Sequence, residues 1–288
     1  MRPSSNVRSR LAAALGVLLV VAGVAACDDE DSPSDTGFDY AALGDSFSAA
    51  PFLPSSSTDG CGRSDQNYAH QVAEQLEDAE LLDVTCGGAT SADILQSQDQ
   101  GQHVQPPQIE AVSADTDLVT LGLGVNDAGF SSVAAYECLL LATNDPDGSP
   151  CEDANAKRMP AIFKRIQNRL VGVLEAIEGR APDAQVLLVG YPQLLPASGS
   201  CRDRIPLARG DVDFVRESYN RLNDTLEAAA DEVGVEYVDV AAAGKNHDIC
   251  SDHPWINGRR KDRRTKAAPY HPMPAEQAAV AGLVLPLL

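Results

Sequence analysis

Five short apolar runs recur along the chain, and the stretches between them bring apolar residues back every three or four positions. The runs cover residues 38–42, 81–85, 118–122, 186–189 and 235–240. Most lack the strict alternation of a half-exposed strand, which is the pattern of strands buried on both faces. Between them, Ile162, Phe163, Ile166, Leu170, Leu174 and Ile177 keep helical spacing, with Pro160 placed where a first turn tolerates it. Val215, Tyr219, Leu222, Leu226, Ala230 and Val233 repeat that spacing. Shorter helices are expected over 67–76 and about 275–284, and loops over 132–158 and 196–210. Strands alternating with amphipathic helices predict an α/β domain: a five-stranded parallel sheet covered by helices on both faces. No internal repeat and no second domain is visible, so one domain is expected over 38–288.

The first 37 residues break this pattern. Arg2, Arg8 and Arg10 precede an apolar stretch from Leu11 to Ala26 that is short for a spanning helix, so 1–26 is expected to be a signal peptide. Its end, Val24-Ala25-Ala26-Cys27, resembles a bacterial lipobox, which would make Cys27 a lipidation site and anchor the protein at the outer face of the cell membrane. Ordinary cleavage near Ala26, giving a secreted protein, is the alternative. Residues 27–37, with Asp28-Asp29-Glu30-Asp31, read as an acidic, solvated tether. Without Cys27 six cysteines remain: an even number in an exported chain points to three disulfides, although spacing alone leaves fifteen pairings open. No Cys/His spacing suggests zinc, and no metal site is expected. A formal net charge of −20 argues against nucleic-acid partners and favours a soluble monomer.

Candidate chemistry gathers at the ends of the apolar runs. Gly44-Asp45-Ser46 follows the first, where Gly permits a tight turn, Asp can hold it, and Ser46 is exposed as a potential nucleophile. Cys86-Gly87-Gly88 follows the second, and the Gly88 N–H can approach a ligand unobstructed. Gly124-Val125-Asn126-Asp127 follows the third, and an Asn amide can donate to a developing oxyanion. Of His70, His103, His247, His253 and His271, the last, in Pro269-Tyr270-His271-Pro272 just before the final helix, is the best placed base. Each motif alone is ordinary turn chemistry.

Taken in order, Gly44-Asp45-Ser46, Gly88, Gly124-x-Asn126-Asp127 and His271-Pro272 resemble the four motif blocks of the SGNH/GDSL hydrolases. The resemblance runs from about Phe38 to the C-terminus and is closest to the actinobacterial secreted esterase and lipase branch. Asp248-Ile249-Cys250 and Pro254-Trp255-Ile256-Asn257-Gly258 also look like that branch. It implies a three-layer, flavodoxin-like α/β/α sandwich and sequential disulfides Cys61–Cys86, Cys138–Cys151 and Cys201–Cys250. It further implies Ser46 as nucleophile, His271 as base, and an oxyanion hole from Ser46, Gly88 and Asn126. No cofactor is implied. Where most of the family carries an Asp three residues before the His, this chain has Ala268. A Ser–His dyad is therefore expected, with the backbone carbonyl of Ala268 orienting the imidazole.

The resemblance implies cleavage of carboxylic esters, with an acyl ester or lipid as substrate. A phospholipase, a polysaccharide O-deacetylase and a catalytically silent lipid- or glycan-binding lipoprotein are the alternatives. The family leaves one feature unexplained: Arg259, Arg260, Lys261, Arg263, Arg264 and Lys266 form a basic cluster just before His271. It reads either as a solvated loop or as a dock for anionic headgroups or envelope phosphates.

Overall fold

The computed structural model describes residues 37–288. The expected signal peptide, Cys27 and all of the tether except Gly37 lie outside them. Five parallel strands form the sheet: β1 (Phe38–Gly44), β2 (Ala79–Asp83), β3 (Leu118–Gly122), β4 (Gln185–Val189) and β5 (Glu236–Val238). Their spatial order is β2-β1-β3-β4-β5. Tyr40 pairs with Leu81 on one side and with Leu118 on the other, which fixes β1 at the centre of the switch in strand order.

Side-chain alternation divides the core into two layers. Ala41, Leu43, Val119, Leu121, Val186 and Leu188 point to one face of the sheet. The two long helices α4 (Met159–Arg180) and α5 (Val212–Val233) pack there through Ile166, Leu170, Leu174, Leu222 and Leu226. Tyr40, Ala42, Leu118, Leu187 and Val189 point to the opposite face. That face is covered by α2 (Tyr68–Ala73) and the last helix, α6 (Pro274–Val284), through Tyr68, Val72, Val280 and Val284. The result is the expected three-layer sandwich.

Several expectations shift at the edges, among them the run 235–240, which forms a strand only over Glu236–Val238 before Val240 opens a helical turn. The regular pairing of β2 ends at Asp83 rather than Thr85, where the Asp83 carboxylate accepts from the Thr85 N–H at 3.0 Å and its hydroxyl at 2.6 Å, but the chain still runs beside β1, with Val84 N donating to Ala42 O and Cys86 N to Gly44 O, both at 3.0 Å. As an edge strand β2 also exposes Leu82. Segment 132–158 is not simply a loop: it contains helical turns at Cys138–Leu141 and Pro150–Asn155. The second is capped from a distance, since the buried Asp211 carboxylate accepts from Cys151 N at 3.1 Å and Glu152 N at 2.9 Å.

In a parallel sheet the crevice beyond the carboxyl ends of the strands, where the strand order switches, is where ligands bind. Here that crevice lies beyond the ends of β1 and β3, at Gly44 and Gly122.

Candidate active site

The first component is built by the turn after β1. Gly44 has φ +146°, and a Cβ there would lie 2.5 Å from the Gly122 carbonyl oxygen, so the position needs glycine twice over. The buried Gln108 side chain clamps this glycine, accepting from its N–H at 2.7 Å and donating to its carbonyl at 3.0 Å. Asp45 then caps the short helix α1 (Ser46–Ala49) by accepting from the Phe47 N–H at 2.8 Å. Ser46 stands at the first position of that helix, and its N–H has no hydrogen-bond partner among the described residues.

The second component is the Gly87-Gly88 turn beyond β2. Gly88 has φ +77°, a left-handed conformation that suits glycine, and it lines the cleft. Its N–H also lacks a partner among the described residues. The turn is braced on three sides: the Cys61–Cys86 disulfide precedes it, Gly87 N donates to Cys61 O at 2.9 Å, and Gln98 and Gln100 donate to Gly87 O at 3.0 and 2.7 Å.

Asn126, after β3, is the third component. Its side-chain amide donates to Ala89 O at 3.1 Å, which fixes the amide plane and leaves its second N–H for the cleft. The next residue ties this loop to the Gly88 loop: the buried Asp127 accepts from Ser91 N and Ser91 Oγ, at the start of the short helix α3 (Ser91–Leu95), at 3.0 and 2.5 Å, and from Arg169 of α4 at 3.1 Å. Three loops distant in sequence thus form one rigid cradle.

His271 faces this cradle from the loop before α6. Its Nε2 lies 3.0 Å from Ser46 Oγ, and its ring stacks on Phe47 with centroids 5.8 Å apart. The carbonyl that orients the ring is that of Pro269, 2.8 Å from Nδ1, and not that of Ala268. The reason is local geometry. Ala268 O closes the turn by accepting from His271 N at 3.3 Å, and it also accepts from the buried Asn257 Nδ2 at 3.0 Å, so it faces away from the ring. Asp252 makes no hydrogen bond to His271. Loss of solvent lowers the His271 pKa from its ordinary value, partly countered by the Pro269 carbonyl, so the imidazole is held neutral and able to accept a proton. The remaining histidines lie elsewhere: His70 sits 3.6 Å from Asp83, and His247 stacks on Trp255.

Tyr191 and Gln108 were not expected at the site. The Tyr191 hydroxyl donates to Asp45 at 2.5 Å and accepts from Val125 N at 3.0 Å, joining the Ser46 turn to the Asn126 loop. Burial pushes the Asp45 carboxyl up to about 7, against the lowering effects of Tyr191 and the Phe47 N–H. A hydroxyl just past the end of β4 is the signal that could have singled out Tyr191 in the sequence. Gln108 offers none.

Ser46, Gly88, Asn126 and His271 border one cleft of about 580 Å³, whose apolar wall includes Phe52, Val125, Tyr136, Leu139 and Tyr219. The other two disulfides, Cys138–Cys151 and Cys201–Cys250, brace peripheral loops.

Known proteins resemble this chain in sequence and fold. The sequence profile of the GDSL-like lipase/acylhydrolase family matches residues 42–279. Lipase 2 of Streptomyces coelicolor is 36% identical over 253 residues, covering 85% of this chain and 84% of that protein. A lipase of Streptomyces rimosus is 31% identical over 255 residues, covering 86% and 88%. The crystal structure of the extracellular lipase from Streptomyces rimosus superposes with a TM-score of 0.70 at 28% identity, covering 87% of this chain and 98% of that one. That of phospholipase A1 from Streptomyces albidoflavus gives 0.69 at 28% identity, with the same coverage. The chain belongs to the GDSL-like lipase/acylhydrolase family and is a carboxylic-ester hydrolase of SGNH/GDSL type.

Proposed function

We propose that this protein hydrolyses acyl esters through a covalent acyl-enzyme formed on a Ser46–His271 dyad. The observation that carries this is the 3.0 Å approach of His271 Nε2 to Ser46 Oγ, on a cleft that Gly88 and Asn126 also line, with the N–H groups of Ser46 and Gly88 unpaired among the described residues. Ser46 Oγ attacks the ester carbonyl while His271 Nε2 takes its proton. The imidazolium keeps its orientation through Nδ1–H donating to Pro269 O, the role a carboxylate plays in a triad. The oxyanion falls to the Ser46 and Gly88 N–H groups and Asn126 Nδ2. His271 returns the proton to the leaving alcohol, then takes one from the water that attacks the acyl-enzyme, releasing the acid and restoring Ser46.

The apolar wall of the cleft favours an acyl chain over an acetyl group on a polysaccharide. Lipids are therefore the proposed substrates, with phospholipids a second candidate because one structural relative is a phospholipase A1. Three disulfides, the lipobox-like Val24-Ala25-Ala26-Cys27 and an extracellular relative support export, with Cys27 as the proposed lipid attachment point. A fluorophosphonate probe is expected to label the wild-type protein and to leave Ser46→Ala unlabelled. A wild-type protein that resists the probe and turns over no p-nitrophenyl ester would instead be a binding lipoprotein.

A further inference from the structure

We propose that the basic loop 259–266 docks the protein on an anionic lipid surface and turns the Ser46 cleft toward it. All six cations of this loop are exposed. None of them takes part in an ion pair among the described residues, whereas Arg63, Arg158, Arg169, Arg209 and Arg216 elsewhere each do. The single acid within the run, Asp262, offsets only one of the six charges. Asp262 accepts from the N–H groups of Arg264 and Thr265 and from the Thr265 hydroxyl, so its carboxylate closes the loop on itself. A chain of net charge −20 thus concentrates six cations against one acid in eight residues.

The loop is coupled to the cleft rather than merely near it in sequence. Buried Asn257 donates from one amide group to Arg260 O and Ala267 O, both at 2.9 Å, while its own N–H donates to His271 O at 2.9 Å. The same residue therefore sets the basic loop and the His271 turn. Lys261 Nζ lies 4.5 Å from the centroid of the Phe52 ring, and Phe52 is a 53% exposed residue of the cleft wall. Tyr136, 73% exposed, lines the same cleft. Cations beside exposed aromatic rings suit a headgroup layer, where the charges meet lipid phosphates and the rings enter the acyl boundary.

Range decides whether the acidic remainder of the protein defeats this. The Debye length is about 8 Å at physiological ionic strength, so acids far from the contact are screened while the loop is not. An anionic surface is then attractive in one orientation, with the cleft mouth facing the lipid. A discrete phosphate pocket is a poorer fit. The depression beside the loop is lined by Arg204, Arg259, Arg260 and Arg264 but also by Asp203, Asp252 and Asp262, which nearly cancel them.

The proposal rests on the hydrolase assignment only for what the docking achieves, and the test separates the two. Vesicle binding of the full chain carrying Ser46→Ala is compared on neutral phosphatidylcholine and on phosphatidylcholine containing roughly 30% phosphatidylglycerol. Each engaged basic residue is expected to contribute about fivefold, so the anionic vesicles should be favoured by at least about tenfold at low salt. The preference should vanish in about 0.5 M NaCl. It should vanish as well when Arg259, Arg260, Lys261, Arg263, Arg264 and Lys266 are changed to Gln, and weaken in the milder pair Lys261→Gln, Arg263→Gln. In the Ser46 background these changes should leave hydrolysis of a soluble p-nitrophenyl ester within about twofold, since no loop cation touches the reacting atoms. Equal binding to both vesicles, or a preference that survives the pair and the sixfold change alike, would overturn the proposal. Salt-sensitive self-association without vesicle preference would assign the loop to a second, acidic copy of the chain and overturn it too. Vesicle preference in a protein that turns over no soluble ester would leave the docking surface standing and sink the dyad.

Discussion

At the scale of single residues, the depressed His271 pKa has a direct kinetic consequence. The base must be neutral to accept the Ser46 proton, and desolvation holds it neutral to lower pH than a free imidazole. The kcat/KM profile on a soluble ester should therefore fall on the acid side with an apparent pKa below 6.5. A limb centred above 6.5 would mean that another group governs the step, with the buried Asp45 carboxyl, at about 7, the first suspect. Asn126 is the second sensitive residue. Its amide plane is fixed by Ala89 O, so the donor is held in place before charge develops. Asn126→Ala is expected to lower kcat by about 10²–10³ with little change in KM, in line with losing one oxyanion donor. A variant with wild-type kcat would remove Asn126 from the reaction.

At the scale of elements, what holds the site together is a set of crossbars between loops. Tyr191 is one of them, reaching from just beyond β4 to Asp45 across 146 positions and accepting from Val125 N. It touches no reacting atom, so it is a positioning residue. Tyr191→Phe should leave the Asp45 carboxyl and the Val125 N–H short of a partner, costing about 1–3 kcal/mol of stability. If the crossbar also aligns the two loops, kcat should drop about tenfold while KM stays level. A loss of stability with unchanged kcat would reduce Tyr191 to packing. This crossbar also shows where sequence stops being informative. Strands β1, β3 and β4 were legible because burial on both faces leaves continuous apolar runs, and α4 and α5 because one buried face repeats every three to four residues. That Ser46, Gly88 and Asn126 border one cleft was legible because a parallel sheet puts its chemistry at strand ends, in short turns with local signatures, whereas His271 stood out only by its segment just before the last helix. The helical turn at Pro150–Asn155 was not, because its cap is Asp211, about sixty residues away. The choice of Pro269 over Ala268 was not either, because it depends on which carbonyl Asn257 already occupies. Contacts of that kind have no period and no local motif.

At the scale of the whole molecule, a buried acid that touches none of the reacting atoms sets how stability follows pH. Glu276, in the first turn of α6, is 2% exposed, and its one side-chain partner is Gln277 Nε2 at 2.6 Å. Gln277 in turn donates to Phe47 O at 3.0 Å and accepts from Tyr68 N at 2.8 Å, so the pair lies at the junction of α6, α2 and the Ser46 helix. Burial pushes the Glu276 carboxyl up to about 8, with only the Gln277 hydrogen bond opposing. Burial, with Glu276 adding to it, raises the Tyr68 hydroxyl to about 12, so this neighbour stays neutral throughout. In the unfolded chain the same carboxyl loses its proton near 4.5. Between these two values the unfolded state binds fewer protons than the native one, so unfolding becomes easier as pH rises through the window. Asp45, raised from 3.8 to about 7, acts in the same direction over a lower range. Stability should therefore decline from about pH 5 toward pH 8, by roughly 1.4 kcal/mol for each unit of pKa difference expressed in the window. Glu276→Gln keeps the side-chain shape and an acceptor for Gln277 while removing the ionisation. Urea unfolding of the wild type and this variant at pH 5 and pH 8 should give similar stabilities at the lower pH and a more stable variant at the higher one. Parallel losses in the two proteins would show that Glu276 titrates alike in both states and that the pH dependence originates elsewhere, in Asp45 or in the net charge of −20.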